Sequence, residues 1–268
     1  MKKTSNSSIV ALFVRVPVPG RVKTRLASDL GDEGACSLYR SMVADILSNI
    51  MVCSYPIYLF HDGKDDSELP EEWIAGSSRV IHQEGDSIGE RMAAAFEQCF
   101  AEDNEQVLLV GSDIPGLDNQ VIFEASKALE SHDVAIAPAA DGGYCLIAMK
   151  RGSYRPNVFQ DVPWSSDQVL RATLERCRNS NLGVTLLKTL QDIDTIEDLK
   201  AYCREPNNKA ATTNNCLIAA GFSVGSEAVR EPEGCELSGN FTDSDTRFPN
   251  TEQGLCLSVC SLLGTCIA

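Results

Sequence analysis

IVALFVRVPVPGRVKTRL, residues 9–26, decides the fold. Its first six residues are apolar, rich in β-branched side chains and without polar alternation, the pattern of a central strand buried on both faces. Pro17, Pro19 and Gly20 then keep the backbone from entering a helix early. From residue 35 the apolar residues Leu38, Tyr39, Met42, Val43, Ile46, Leu47 and Ile50 recur at three- and four-residue steps, which is one stripe of a long helix. A buried strand, a loop and a long helix open a βαβ unit.

The alternation continues outward from that unit. Residues 56–60 and 79–83 read as short strands, and Met92, Phe96, Cys99 and Phe100 as the next helical stripe. Strands are expected over 107–110, 134–137, 144–149 and 184–187, with helices over 122–129 and 168–177. Strands alternating with helices imply right-handed crossovers and a mostly parallel sheet, with ligands gathered beyond the carboxyl ends of the strands. The two closely spaced strands either side of DGGY, residues 141–144, point to one antiparallel departure, making the sheet mixed.

Bulk properties narrow the function. The chain has 268 residues, 43% hydrophobic and 23% charged, enough for one large α/β domain with an appendage. A formal charge of −15 opposes nucleic acid and anionic membranes as partners, since binding a polyanion relies on clustered Lys and Arg. Neither the early apolar run nor LCLSVCSLLGTCIA, the 14 residues that end the chain, matches the roughly 20 residues of a membrane-spanning helix. With no secretion signal among its motifs, the chain is expected in the cytoplasm with its 11 cysteines reduced. Cysteines 36, 53, 99, 145, 177 and 203 fall mostly on apolar faces, as buried small hydrophobes do. Composition changes after Cys203, so the domain is expected over residues 1–205 and a disordered, cysteine-containing tail over 206–268.

Three segments at strand ends carry charge suited to a nucleotide. In PVPGRVKTRL, residues 17–26, Arg21, Lys23 and Arg25 place three cations within five residues, next to Gly20 and the N-terminus of the following helix. Such a loop can cradle phosphates, each charge-assisted hydrogen bond contributing roughly 1.5–3 kcal/mol; a solvated basic turn is the plain alternative. In GSDIPGL, residues 111–117, Asp113 sits where a strand is halted by Pro115, a position suited to holding Mg²⁺ or Mn²⁺. An Asx-type turn explains it equally simply. In DIDTIEDL, residues 192–199, Asp192 and Asp194 share one face if extended, and Thr195 with Asp198 reads as a capping box. Asp194 is the candidate second metal ligand.

Two glycine motifs complete the set. In QEGDSIGERM, residues 83–92, Gln83 offers donor and acceptor to a base edge and Gly89 allows close approach. In PAADGGYCLI, residues 138–147, Gly142 and Gly143 do the same for a sugar, with Asp141 and Trp164 as acceptor-side candidates. Ordinary turns would account for the same glycines.

In this order the five segments resemble the rSAM/selenodomain-associated transferase family, glycosyltransferase-like members of the nucleotide-diphospho-sugar transferase superfamily, over about residues 9–203. The resemblance implies a GT-A-like, three-layer α/β/α fold with a mostly parallel mixed sheet. It also implies metal at Asp113 and Asp194, triphosphate gripped by the loop holding Lys23 and Arg25, and a base read by Gln83 and Gly89. The Pro-Gly opening loop is similar to that of 2-phospho-lactate guanylyltransferase. The first expectation is therefore a metal-dependent glycosyltransferase using a nucleotide-sugar donor and a small-molecule acceptor. A nucleotidyltransferase releasing pyrophosphate is the alternative, and a non-enzymatic nucleotide sensor or scaffold the second.

Overall fold

Every residue of β1, Ser8–Val14, is buried, as expected of a strand covered on both faces. The computed structural model describes residues 7–204 and 210–225. After β1 come α1 (Thr24–Met51), β2 (Ile57–His61), α2 (Glu71–Ala75), β3 (Arg79–His82), α3 (Ile88–Ala101), β4 (Gln106–Val110) and α4 (Asn119–Ala128). They are followed by β5 (Val134–Pro138), β6 (Tyr144–Lys150), α5 (Val169–Asn179), β7 (Val184–Leu186), α6 (Ile196–Arg204) and α7 (Ala211–Ala219).

The strands form one seven-stranded sheet in the order β3-β2-β1-β4-β6-β5-β7. Neighbours run parallel except at β6, which is antiparallel to both β4 and β5. The expected mixed sheet is thus present, and the departure falls on the strand that follows the DGGY turn.

Side-chain alternation sorts β1 between two cores. Ile9, Ala11 and Phe13 pack with Met92 and Phe96 of α3 and with Cys177 of α5. Val10, Leu12 and Val14 pack with the α1 stripe, with α4 and with α6. Helices cover both faces, which makes the three layers.

Helix α1 begins eleven residues before its apolar stripe, at Thr24, and is interrupted at Gly31, whose φ of 72° and ψ of 162° are not helical. Asp45 lies within the buried stripe of this helix, and α7 explains it. Its two carboxylate oxygens accept the backbone N–H groups of Thr212 and Thr213 at 2.9 and 2.7 Å, capping α7 from another helix. Ala210 and Leu217 are buried in the same core. The domain therefore extends past the boundary expected at residue 205, because a short helix with an apolar side and a borrowed cap completes the α1 layer. The remainder of the expected tail, 206–209 and 226–268, lies outside the described residues.

Among the described residues no helix is long and apolar enough to cross a membrane. Seven cysteines there are free thiols, five of them buried. Burial pushes the Cys99 thiol up to about 12, so it acts as packing.

Candidate functional site

The loop that follows β1 ends on a strained residue. Gly20 takes a φ of 74° in the turn closed by the Arg21 N–H on the Val18 carbonyl, and Lys23 then adopts the left-handed region at φ 48°, ψ 44° as the N-cap of α1. A left-handed lysine costs of order 1 kcal/mol and persists where its surroundings over-determine it. Here the conformation sends the side chain down into the domain, where only 4% of it is exposed. Its ammonium lies 3.3 Å from Asp113 Oδ2 and 3.0 Å from Asp194 Oδ1. Arg25, two residues further, reaches the other oxygen of Asp194 at 3.6 Å from the exposed side.

Each aspartate is held by its own local chemistry. Asp113 follows β4, and its carbonyl accepts the Ile193 N–H at 3.0 Å, which clamps the 192–194 segment beside it. Tyr39 of α1 supports it from behind. The Tyr39 hydroxyl accepts the Arg15 backbone N–H at 2.8 Å and lies 2.8 Å from Ser112 Oγ, which donates to Asp113 Oδ1 at 3.4 Å. Burial, then the charge of Asp113, pushes the Tyr39 phenol far above its usual range, so the hydroxyl stays protonated and donates to Ser112. Asp194 precedes the capping box expected from the sequence: Thr195 N and Oγ1 both donate to Asp198 Oδ2 at 2.8 Å, and the Asp198 N–H returns to Thr195 Oγ1. Burial works against the Asp198 charge, but bonds from Thr195 and Asp194 outweigh it and hold the carboxyl below the usual range.

These residues lie at the floor and rim of a cleft of about 730 Å³ above the carboxyl ends of β1 and β4. Asp113, Asp141, Asp167, Asp192 and Asp194 line it, against Arg15 and Arg25, with Lys23 beneath. Burial, then repulsion from Asp141 and Asp194, raises the Asp192 carboxyl above its usual value. The cleft is therefore short of positive charge. Asp113 and Asp194 offer oxygen donors of the kind a hard dication takes, but they share the Lys23 ammonium at 3.3 and 3.0 Å, and among the described residues no group of three or more His, Cys, Asp or Glu side chains is placed to hold a metal ion. Cys145 also lines the cleft, but burial and the charges of Asp192, Asp141 and Asp113 drive its thiol far up, which removes it as a nucleophile.

The structure brings Lys23, Arg25, Asp113, Asp194, Asp141, Gly143 and Trp164 together at one cleft. The other expected contacts differ. Gln83 is buried, and its amide donates to the Val14 and Phe60 carbonyls at 3.2 and 3.0 Å, tying the ends of β1 and β2 together instead of presenting that donor to a base. At Gly89 an added Cβ would fall 2.6 Å from the Phe159 carbonyl and from Trp164 Nε1, so the close approach is to Trp164 and not to a ligand. Gly142, at φ 91°, lies against the Asp167 carbonyl and serves the turn. Gly20 and Arg21 occupy an exposed turn and are not among the residues lining the cleft. Sequence reasoning passed over Arg15, which the odd-numbered face of β1 carries to the cleft rim, and Tyr39, which reads as an ordinary member of the α1 stripe.

Fold and cleft together define the class: a nucleotide-diphospho-sugar-transferase-like α/β domain with its charged residues on the sheet's carboxyl edge. A crystal structure from Desulfovibrio desulfuricans G20, provisionally assigned as a nucleotide-diphospho-sugar transferase, is 32% identical with a TM-score of 0.73, covering 80% of this chain and 96% of that one. The model of the family described as "Uncharacterized protein conserved in bacteria (DUF2064)" matches residues 51–166, and the chain belongs to that family. Among curated proteins, the 2-phospho-L-lactate guanylyltransferase of Methanocaldococcus sp. (strain FS406-22) is 25% identical over 226 residues, 80% of this chain and 90% of its own length. The protein of the same name from Methanocaldococcus infernus is 30% identical over 132 residues, 49% of this chain and 57% of its own. A cytidylyltransferase from Leptospira borgpetersenii, at 9% identity and a TM-score of 0.50 over 84% of this chain and 99% of that one, shares the fold.

Proposed function

We propose that this nucleotide-dependent transferase is a nucleotidyltransferase, joining the nucleoside monophosphate part of a triphosphate to a phosphorylated small molecule and releasing pyrophosphate. The observation that carries the reading is the buried Lys23 ammonium between Asp113 and Asp194, with Arg25 beside it, at the floor of an acidic cleft. Fixed cations at that point suit a chain of linked phosphates more than a single sugar ring. The guanylyltransferase relatives, one of them 25% identical over 80% of this chain, support nucleotidyl transfer over the glycosyl transfer expected first.

In this reading an oxygen of the acceptor phosphate attacks the α-phosphorus while the bond from that phosphorus to the α,β-bridging oxygen breaks. Lys23 and Arg25 offset the charge gathering on the departing pyrophosphate, and they do so from fixed positions, which avoids reorganisation during the step. Binding on the Trp164 side of the cleft aligns the acceptor phosphate, and no covalent intermediate is needed. Asp113 and Asp194 would hold Mg²⁺ or Mn²⁺, which supplies neutralisation of phosphate charge when bound. Tyr39, through Ser112, keeps Asp113 from rotating away.

The test is to supply each nucleoside triphosphate with Mg²⁺ and a phosphorylated acceptor, 2-phospho-L-lactate first, and to measure pyrophosphate. Parallel reactions with nucleotide-sugars test the glycosyl alternative, whose product is a nucleoside diphosphate.

A further inference from the structure

The odd-numbered face of β1 does not end with the strand. Ile9, Ala11 and Phe13 pack toward α3, and Arg15, two residues beyond Phe13, emerges on the same side at the cleft rim. Its Nε donates to Asp62 Oδ2 at 3.3 Å, and the other oxygen of Asp62 accepts the Val16 backbone N–H at 2.8 Å. Its own backbone N–H is fixed on Tyr39. The guanidinium is thus aimed by one contact to a carboxylate that the Val16 N–H holds in place, while Nη1 and Nη2 make no protein hydrogen bond among the described residues. Phe13, Met92 and Ile88 line the same cleft, the last 41% exposed at the first turn of α3. An exposed isoleucine in one cleft with a braced guanidinium gives an apolar wall and a two-pronged donor, which suits a flat heteroaromatic ring with acceptors on one edge.

The position in the sheet separates this corner from the acceptor side. Arg15 and Asp62 follow β1 and β2, Asp113 follows β4, and Tyr144 begins β6 with Trp164 against it, so the charged floor lies between the two ends in strand order. We propose that Arg15 reads the nucleobase and selects a guanine-type edge, donating to O6 and N7 together. Arginine offers five donors and no acceptor, so it pairs with two adjacent acceptors and opposes the amino group that adenine or cytosine presents at the matching position. The assignment takes over the base-reading role expected of Gln83, whose amide donor is engaged inside the sheet edge. It deepens the nucleotidyltransferase reading and rests on it for the presence of a base in this cleft.

The experiment measures equilibrium binding of GTP, ITP, 7-deaza-GTP and ATP, each with Mg²⁺, to wild type, Arg15→Ala and Arg15→Lys, alongside pyrophosphate release. Arg15 is exposed at the rim, so both variants are expected to fold, checked by circular dichroism. Wild type should prefer GTP and ITP over ATP and lose affinity for 7-deaza-GTP, which lacks N7. Both variants should lose about 10- to 100-fold of that preference with ATP binding unchanged, the lysine included, because it keeps the charge without the fork. Equal weakening of GTP and ATP, a change confined to the acceptor KM, or no base preference in wild type overturns the inference and leaves nucleotidyl transfer standing. Selective GTP binding through Arg15 with no pyrophosphate from any mixture would sink the transfer reading and keep this one.

Discussion

Lys23 and Asp194 stand 171 residues apart in sequence and 3.0 Å apart in the cleft. One comes from the loop after the first strand and the other from the segment after the last, which returns to lie beside the end of β4 and completes the charged floor there. The ammonium also touches Asp113, which puts one cation between two carboxylates that are themselves 45% and 42% exposed.

Replacing Lys23 with Met keeps the length of the side chain and removes the charge. Turnover should fall by roughly 100-fold or more, the scale seen when one preorganised electrostatic contact is lost. Stability should fall far less, by about 1 kcal/mol, because water reaches both aspartates and replaces part of the pairing. Denaturant unfolding and steady-state kinetics on the same preparation separate the two effects; a large loss of stability with activity retained would make Lys23 a structural cation only.

Gly89 is expected to position Trp164. In Gly89→Ala the new Cβ meets Trp164 Nε1 and a backbone carbonyl that cannot yield, and overpacking of this kind costs about 1–3 kcal/mol. The chain has two tryptophans, and Trp73 is fully buried elsewhere, so a red shift in emission reports displacement of Trp164. The acceptor KM should rise in parallel. Unchanged emission would mean that the contact is slack and the glycine dispensable.

Strand positions were readable because runs such as 107–110 and 134–137 leave a buried strand as the simplest structure for so much β-branched surface, and the capping box at Thr195 follows from residue types at fixed spacing. Partner choice was not readable. Gln83 and Gly89 are the residue types a base site uses, yet one is consumed by two carbonyls and the other by an indole, and neither partner adjoins it in sequence. Asp45 in the α1 stripe is a visible anomaly whose cause, the N-terminus of α7 that has no side-chain cap of its own, lies 167 residues away. Arg15 could have been found by extending the odd face of β1 two residues past its end.

Asp133 gives the domain a defined acid sensitivity. Its carboxylate accepts Ser153 Oγ at 2.5 Å and the Gly183 N–H at 2.9 Å and pairs with Lys150, and the Ser153 and Gly183 bonds chiefly hold it below the usual carboxylate range. A depressed folded value means that the unfolded chain takes up the proton first as pH drops. The stabilisation is therefore complete above the ordinary carboxylate value of about 4 and is lost as pH falls through the folded one. Asp133→Asn should lower Tm at pH 7, and the gap from wild type should narrow steadily below about pH 4. A gap that stays constant with pH would assign the effect to packing.

Pyrophosphate release is the most direct measurement of the central claim. With Mg²⁺, a nucleoside triphosphate and a phosphorylated acceptor, wild type should form one pyrophosphate for each acceptor nucleotidylated, Asp113→Ala should abolish it, and Lys23→Met should slow it by roughly 100-fold or more. Nucleoside diphosphate released from a nucleotide-sugar, with no pyrophosphate from any triphosphate and acceptor, would contradict the account.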